Sequence, residues 1–190
     1  DYACFSFYPS KNLGAYGDAG IILTKNQDEA QKLKMLRNYG QEKRYYHKTK
    51  GFNSRLDEIQ AVILLVKIKY LDVWNNRRRD IASLYNQRIK NSSVIKPVEV
   101  PYGKHVFHLY VIRHPERDRL KLYLEQSGVQ TAIHYPIPIH LQEAYKYLGY
   151  TLNNFPVTEK YAREIISLPI FPQLKDEEAE KVAYLINNFD

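Results

Sequence analysis

A long apolar periodicity from Ser54 to about Asn91 constrains this chain more than any other feature. Ser54-Arg55-Leu56-Asp57 has the Ser-x-x-acid form of a capping box, with Asn53 just ahead, and the spacing predicts one long, bent helix. Its first half, Ala61 to Val66, is apolar on every side, which predicts burial. Its second half keeps only a stripe of Val73, Trp74, Ile81, Leu84 and Tyr85, as a helix lying against a core does. Such a helix joins two lobes. Arg77-Arg78-Arg79, the densest cationic run, falls in this second half with Asp72 and Asp80 and reads as a solvated helix face.

Ahead of the helix, Tyr2 to Tyr8 reads as a strand already in progress, with no lead-in turn, so further chain is expected upstream. Pro9 to Gly20 then packs three glycines into a polar loop, and Ile21 to Thr24 returns as a second strand. Asn26 or Asp28 caps a helix through Ala30, Leu33, Leu36 and Arg37, which stops at Tyr39-Gly40. Gln41 to Phe52 is a basic, aromatic loop. Beyond Pro97 and Pro101 the pattern changes to strand (His105 to Arg113), helix (Arg117 to Ser127, stopped by Gly128) and strand (Val129 to Tyr135). A short helix near Leu141 to Leu148, a helix from Val157 to Ile166, an extended Leu168 to Pro172 and a terminal helix from Asp176 complete a small α/β lobe.

Composition narrows the function classes. With 44% hydrophobic residues, 26% charged residues and no apolar run near the ~20 residues of a membrane span, the 190-residue chain reads as soluble and globular, with no membrane partner. The single cysteine, Cys4, cannot form an internal disulfide, and no basic-then-apolar leader is present, so a cytoplasmic setting is expected. Lys+Arg of 28 against Asp+Glu of 21 leaves a net charge of +7, which suits nucleic acid, an anionic membrane or a phosphorylated small molecule alike. The seventeen tyrosines interleave with bases at Lys43-Arg44-Tyr45-Tyr46-His47, a pattern that in isolation suits RNA stacking. No spacing matches a nucleic-acid motif, so no nucleic-acid partner is expected.

Three residue types remain as chemical candidates. Of the six histidines, His105 and His108 fall three apart in a strand pattern and point to opposite faces. His134 and His140 bracket Pro136 and Pro138 with no Cys, Asp or Glu at ligand spacing, so no metal is expected. Cys4 reads as a small buried hydrophobe. Lys11 is the strongest candidate, because an ordered backbone just beyond a strand, followed by glycines, delivers its amine to a cleft. A lysine that attacks a carbonyl must be neutral, and a desolvated pocket favours that form. Ser6 nearby offers a hydroxyl to an anion, and the glycines allow close backbone approach. On the residues alone, the simpler reading of Lys11 remains a solvated lysine in a hairpin turn.

The wording of several segments reverses that balance. Ser6-Phe7-Tyr8-Pro9-Ser10-Lys11-Asn12-Leu13-Gly14-Ala15-Tyr16-Gly17-Asp18-Ala19-Gly20 closely resembles the Schiff-base lysine segment of the DegT/DnrJ/EryC1/StrS sugar aminotransferases. Leu36 to Gly40, Gly51 to Ala61, His134-Tyr135-Pro136-Ile137-Pro138 and Leu168 to Pro172 look like further blocks of that family, in family order. The resemblance implies an α/β chain, the C-terminal part of a PLP-dependent transferase fold of type I. Residues 1–92 would be remnant strands and the long connecting helix of the large domain, and 93–190 a small α/β C-terminal domain. It also implies pyridoxal 5'-phosphate as cofactor, borne by Lys11, which then shuttles protons. Ser6 would bind the cofactor phosphate, and Asn53 would reach the phosphate of the neighbouring subunit in a homodimer. Asn53 also reads as a plain helix cap, and the two roles are compatible. Tyr45, Tyr46, His47, His134 and Tyr135 resemble the regions that line a nucleotide-sugar pocket.

Family members are about twice as long, and their first half carries a Gly-Ser/Thr phosphate loop, an aromatic residue over the pyridine ring and an aspartate for its nitrogen. None of these motifs is in this sequence, so the chain is expected to be the C-terminal half, inactive by itself. The function implied for the parent enzyme is amino transfer from an amino acid, with glutamate expected, to a keto-deoxysugar linked to a nucleoside diphosphate. The family's dehydratase branch puts histidine where Lys11 stands. A non-catalytic binding module is the reading from a different class.

Overall fold

β1 (Tyr2–Ser6) and β2 (Gly20–Thr24) run antiparallel, with Tyr2 opposite Thr24 and Ser6 opposite Gly20. The computed structural model describes all 190 residues, and they form two compact units, Asp1–Asp72 and Val73–Asp190. The division lies ahead of the 92/93 boundary expected from the sequence, because most of the second helical segment packs into the second unit.

In the first unit, both faces of the β1–β2 ribbon are open. Cys4 is therefore exposed, contrary to the buried hydrophobe expected, since a two-stranded sheet with no covering layer hides neither face. α1 (Gln27–Leu36) starts at Asn26, whose Oδ1 accepts the Asp28 and Glu29 N–H groups at 2.9 and 3.1 Å. The chain leaves α1 through Tyr39 and Gly40, both at positive φ, and enters the short hairpin β3 (Gln41–Lys43) and β4 (Tyr46–His47). Gly40 is required there: at φ +73°, a Cβ would stand 1.8 Å from the Thr49 carbonyl oxygen.

The long helix is real but broken. α2 (Glu58–Lys67) and α3 (Leu71–Arg88) are separated by a 3₁₀ turn at Ile68–Tyr70, which is the bend the pattern predicts. The Ser54 capping box does not form. Helix starts only at Glu58, and the Ser54 N–H is spent on the Arg37 carbonyl at 2.9 Å. The expected burial of Ala61 to Val66 also fails: Leu64 alone is buried, while Ile59 and Leu65 are 71% and 66% exposed. Within the first unit no element covers the faces of α2 that carry these residues.

The second unit is built on a continuous core. Ile81, Ala82 and Tyr85 come from α3, and Tyr110 and Ile112 from β5 (Tyr110–Arg113). Leu120 and Leu124 come from α4 (Arg117–Gln126), and Ile166 and Leu168 from β6 (Ile165–Leu168). α6 (Asp176–Asn187) adds Ala179, Val182, Ala183 and Ile186, recurring at helical spacing on one face. β5 and β6 pair antiparallel from Tyr110–Leu168 to Arg113–Ile165.

Several sequence expectations are corrected in this unit. The first strand starts at Tyr110 rather than His105. Val129 to Tyr135 is not a strand, and only Ala132 bridges to Ser167, whose N–H donates to the Ala132 carbonyl at 2.7 Å. α5 (Pro156–Glu164) stops earlier than expected, because Ile165 and Ile166 are taken into β6, where β-branched residues pack well. Residues 139–148 form two 3₁₀ turns, Ile139–Leu141 and Glu143–Leu148.

Arg77-Arg78-Arg79 is not a solvated face. Arg78 is 6% exposed and donates to the carbonyls of Phe107 (3.1 Å), His108 (3.2 Å) and Ile170 (2.8 Å). Arg77 pairs with Asp176 at 2.7 Å, and Arg79 with Glu99 at 2.7 Å. The three guanidinium groups therefore tie α3 to backbone and acids elsewhere in the second unit.

Candidate functional site

Lys11 sits half-buried in a tight turn just past β1, and its N–H donates to the Tyr8 carbonyl at 2.8 Å. The loop beyond folds back on the strand end: Ala15 N–H donates to Phe7 O and Phe7 N–H to Ala19 O, both at 2.8 Å. Ala15 is fully buried. Gly14 has no room for a side chain, since a Cβ would lie 2.3 Å from the Pro9 carbonyl oxygen. These contacts fix the backbone on either side of Lys11, which is what an amine presented to a reaction needs.

Beside this turn lies a cavity of about 470 Å³ lined by Ser6, Tyr8, Asp18, Ala19, Gly20, Asn53, Ser54, Arg55 and Leu56. It brings Ser6 and Asn53, far apart in sequence, into the lining of one cavity within one chain. Lys11 is not a lining residue, but Tyr8, whose carbonyl holds its N–H, is. Ser6 Oγ accepts the Tyr8 N–H at 3.2 Å, leaving the hydroxyl proton to be donated to a guest. Asn53 is not a helix cap: it forms an isolated antiparallel bridge with Asn38, upstream of the residue where α2 begins. The sequence reading missed Arg55, whose guanidinium lies 5.4 Å from the Tyr39 ring centroid while the residue lines the cavity. Its place two residues after Asn53 was the available signal. A hydroxyl donor, an amide and a guanidinium in one cleft fit the phosphate of pyridoxal 5'-phosphate, with the carboxylate of Asp18 opposing them.

The other candidates are not among the residues that line this cavity. Tyr45, Tyr46 and His47 are exposed on the β3–β4 hairpin, with Lys43 and Arg44 over the rings of Tyr46 and Tyr45 at 5.7 and 4.9 Å. His47 Nδ1 lies 2.9 Å from the Tyr39 carbonyl. His134 and Tyr135 belong to the second unit, where Tyr135 is exposed and His134 is half-buried. His134 Nδ1 is 2.8 Å from the hydroxyl of buried Ser167, so its Nε2 edge is the one left for a ligand. Ser167 carried no signal in the sequence, since it reads as one polar residue in an apolar run.

The same unit holds a buried acid. Glu159 Oε1 lies 3.0 Å from His140 Nε2, and its carboxylate accepts the N–H groups of Asn153 (2.9 Å) and Phe155 (3.2 Å). The Asn153 N–H, with the Phe155 N–H and His140 adding to it, holds this carboxyl below the usual glutamate range against the opposing effect of burial.

Comparison with known proteins gives a consistent result. The model of the DegT/DnrJ/EryC1/StrS aminotransferase family matches residues 1–187. A dTDP-3-amino-3,6-dideoxy-alpha-D-galactopyranose transaminase of Aneurinibacillus thermoaerophilus is 47% identical over 189 residues, covering 100% of this chain and 52% of that protein. A pleiotropic regulatory protein of Geobacillus stearothermophilus is 45% identical over 190 residues, covering 98% of this chain and 51% of its own length. The crystal structure of S. venezuelae DesV in complex with a ketimine intermediate superposes with a TM-score of 0.96 at 41% identity, over 98% of this chain and 50% of that one. The chain thus spans about half the length of the curated relatives it matches.

Proposed function

Because the chain belongs to the DegT/DnrJ/EryC1/StrS aminotransferase family, whose chemistry depends on pyridoxal 5'-phosphate, we propose that it is the C-terminal portion of a nucleotide-sugar aminotransferase. The observation that carries this reading is the pairing of a backbone-fixed Lys11 turn with a polar cavity that gathers Ser6, Asn53 and Arg55. When bound, the cofactor supplies an electron sink for the carbon that loses or gains a proton. Lys11 is the residue that bears it, and its amine moves that proton. Ser6 donates its hydroxyl to the phosphate. Arg55 adds charge to the same cavity.

Asn53 is assigned to a phosphate across a homodimer. Its place beside Ser6 in one chain makes the same-chain contact the competing geometry. His134, Tyr135 and the Tyr45-Tyr46-His47 hairpin are assigned to the nucleotide-linked keto-sugar, and the net charge of +7 suits that doubly phosphorylated substrate. The amino group comes from an amino acid, with glutamate the expected donor, in a cytoplasmic enzyme. By itself the chain is expected to be inactive.

Borohydride reduction of the cofactor-loaded, full-length protein followed by peptide mapping tests the central assignment. The tag is expected on Lys11, and a tag on any other lysine refutes it. Mixing Lys11→Ala and Asn53→Ala full-length proteins tests the dimer assignment. Hybrid dimers recover part of the activity if Asn53 works across subunits and none if it serves its own chain.

A further inference from the structure

α2 is patterned inside out with respect to its own unit. Ile59, Val62, Leu65 and Val66 are exposed, whereas the side chains that face the unit are Gln60, Leu64 and Lys67. Those three recur at i, i+4 and i+7 and therefore share one face. Leu64 is the buried residue of the helix. On either side of it, two polar side chains reach the glycine loop that follows Lys11. Gln60 Oε1 accepts the Tyr16 N–H at 2.8 Å. The Lys67 ammonium donates to the Gly14 carbonyl and lies 5.2 Å from the Tyr16 ring centroid.

The loop has no slack against this grip. Gly14 already abuts the Pro9 carbonyl, and a Cβ on Gly17 would stand 3.1 Å from Gln60 Nε2. Residues 14–17 are thus held between the strand-end backbone and α2, and Lys11 is the side chain on the short turn leading into them. Polar groups turned inward on a helix whose apolar residues face outward are not there for solubility. Their partners are backbone groups of one loop.

We propose that Gln60 and Lys67 are positioning residues that fix the Lys11 turn from α2 in the geometry its amine chemistry requires. This rests on Lys11 as the cofactor-bearing residue. Gln60→Met removes the acceptor at nearly constant length, and Lys67→Met removes the donor. Gln60→Glu and Lys67→Arg retain them. In the full-length, cofactor-loaded protein, each Met variant is expected to lower kcat by about 10- to 100-fold. KM for the nucleotide sugar should stay near wild type, and the pH titration of the cofactor's visible absorbance band should shift. Glu and Arg should restore both.

Gly17→Ala places a Cβ 3.1 Å from Gln60 Nε2 and makes that side chain give way by a few tenths of an ångström without altering α2, so it repeats the test should a Met variant fail to fold. Hydrogen exchange at the Tyr16 amide reports whether the bond is lost. Loss of Tyr16 protection with unchanged kcat and band titration, while wild type is still tagged at Lys11, overturns the positioning role alone. A wild-type tag on another lysine overturns the Lys11 assignment and this proposal with it.

Discussion

Replacing Arg78 by methionine tests how the second unit is held together. The residue is 6% exposed and its guanidinium feeds three carbonyls, on Phe107, His108 and Ile170, at 3.1, 3.2 and 2.8 Å. All three contacts come from Nη1, which has two N–H groups, so one is shared; at about 1.5–3 kcal/mol for a bond from a charged donor, two set an upper limit of roughly 3–6 kcal/mol. Against this stands the desolvation of the cation, which holds the Arg78 pKa below its ordinary value and is recovered when the charge is removed. Methionine keeps the apolar stem, so the packing loss is small. Buried carbonyls left without their donor dominate at about 1–3 kcal/mol each, and less the recovered desolvation the expected net loss is about 2–4 kcal/mol, a large part of the ~5–15 kcal/mol of an ordinary domain. Urea unfolding of the chain, followed by near-ultraviolet circular dichroism of the tyrosine core around Tyr85 and Tyr110, measures it. Arg78→Lys should fall between, because a lysine side chain ends one atom short of the position of Arg78 Nη1, from which all three contacts come. A loss below about 1 kcal/mol for Arg78→Met is the range of an exposed ion pair and would refute the argument.

Two further perturbations have definite outcomes. The folded-state pKa of Glu159 is depressed, so its stabilisation is present above the ordinary value of 4.5 and is lost as pH falls through the lower folded value. The stability gap between wild type and Glu159→Gln, read from thermal melts, should be full at neutral pH and shrink below 4.5; a gap that does not change with pH would contradict the assignment. Gly40→Ala places a Cβ 1.8 Å from the Thr49 carbonyl oxygen at φ +73° and should cost about 1–3 kcal/mol, with hydrogen exchange accelerated first in the β3–β4 hairpin.

What the sequence disclosed divides along physical lines. Local signals worked: the Asn26 cap, the Gly40 stop, the Gly128 stop at φ +78° and the terminal helix at Asp176 each depend on a few adjacent residues. So did the glycine loop after Lys11, whose crowding at Gly14 is a contact with a residue five positions away. Signals that needed tertiary partners were misread. Arg77-Arg78-Arg79 looked solvated because the carbonyls that hold Arg78 come from residues 107, 108 and 170. The apolar run in α2 implied burial, but periodicity cannot say which molecule or segment does the covering. Ser54 had a cap's spelling, yet an earlier competitor, the Arg37 carbonyl, claimed its N–H. Around the cavity, Lys11 and Ser6 were singled out from residue chemistry and, with Asn53, given roles by the family resemblance, whereas Arg55, Gln60 and Lys67 emerged only from their contacts.

The carboxylate of Glu159 works as a clasp. By gripping His140 on one side and Asn153 and Phe155 on the other, it closes a ring of chain whose middle, from Glu143 to Leu152, is exposed throughout. Lengthening a closed loop is inexpensive, because each doubling adds only about 0.6 kcal/mol of closure entropy. The segment inside the clasp is therefore open to insertion and drift. The core on the far side of Glu159 registers little of what happens there as long as the clasp stays shut.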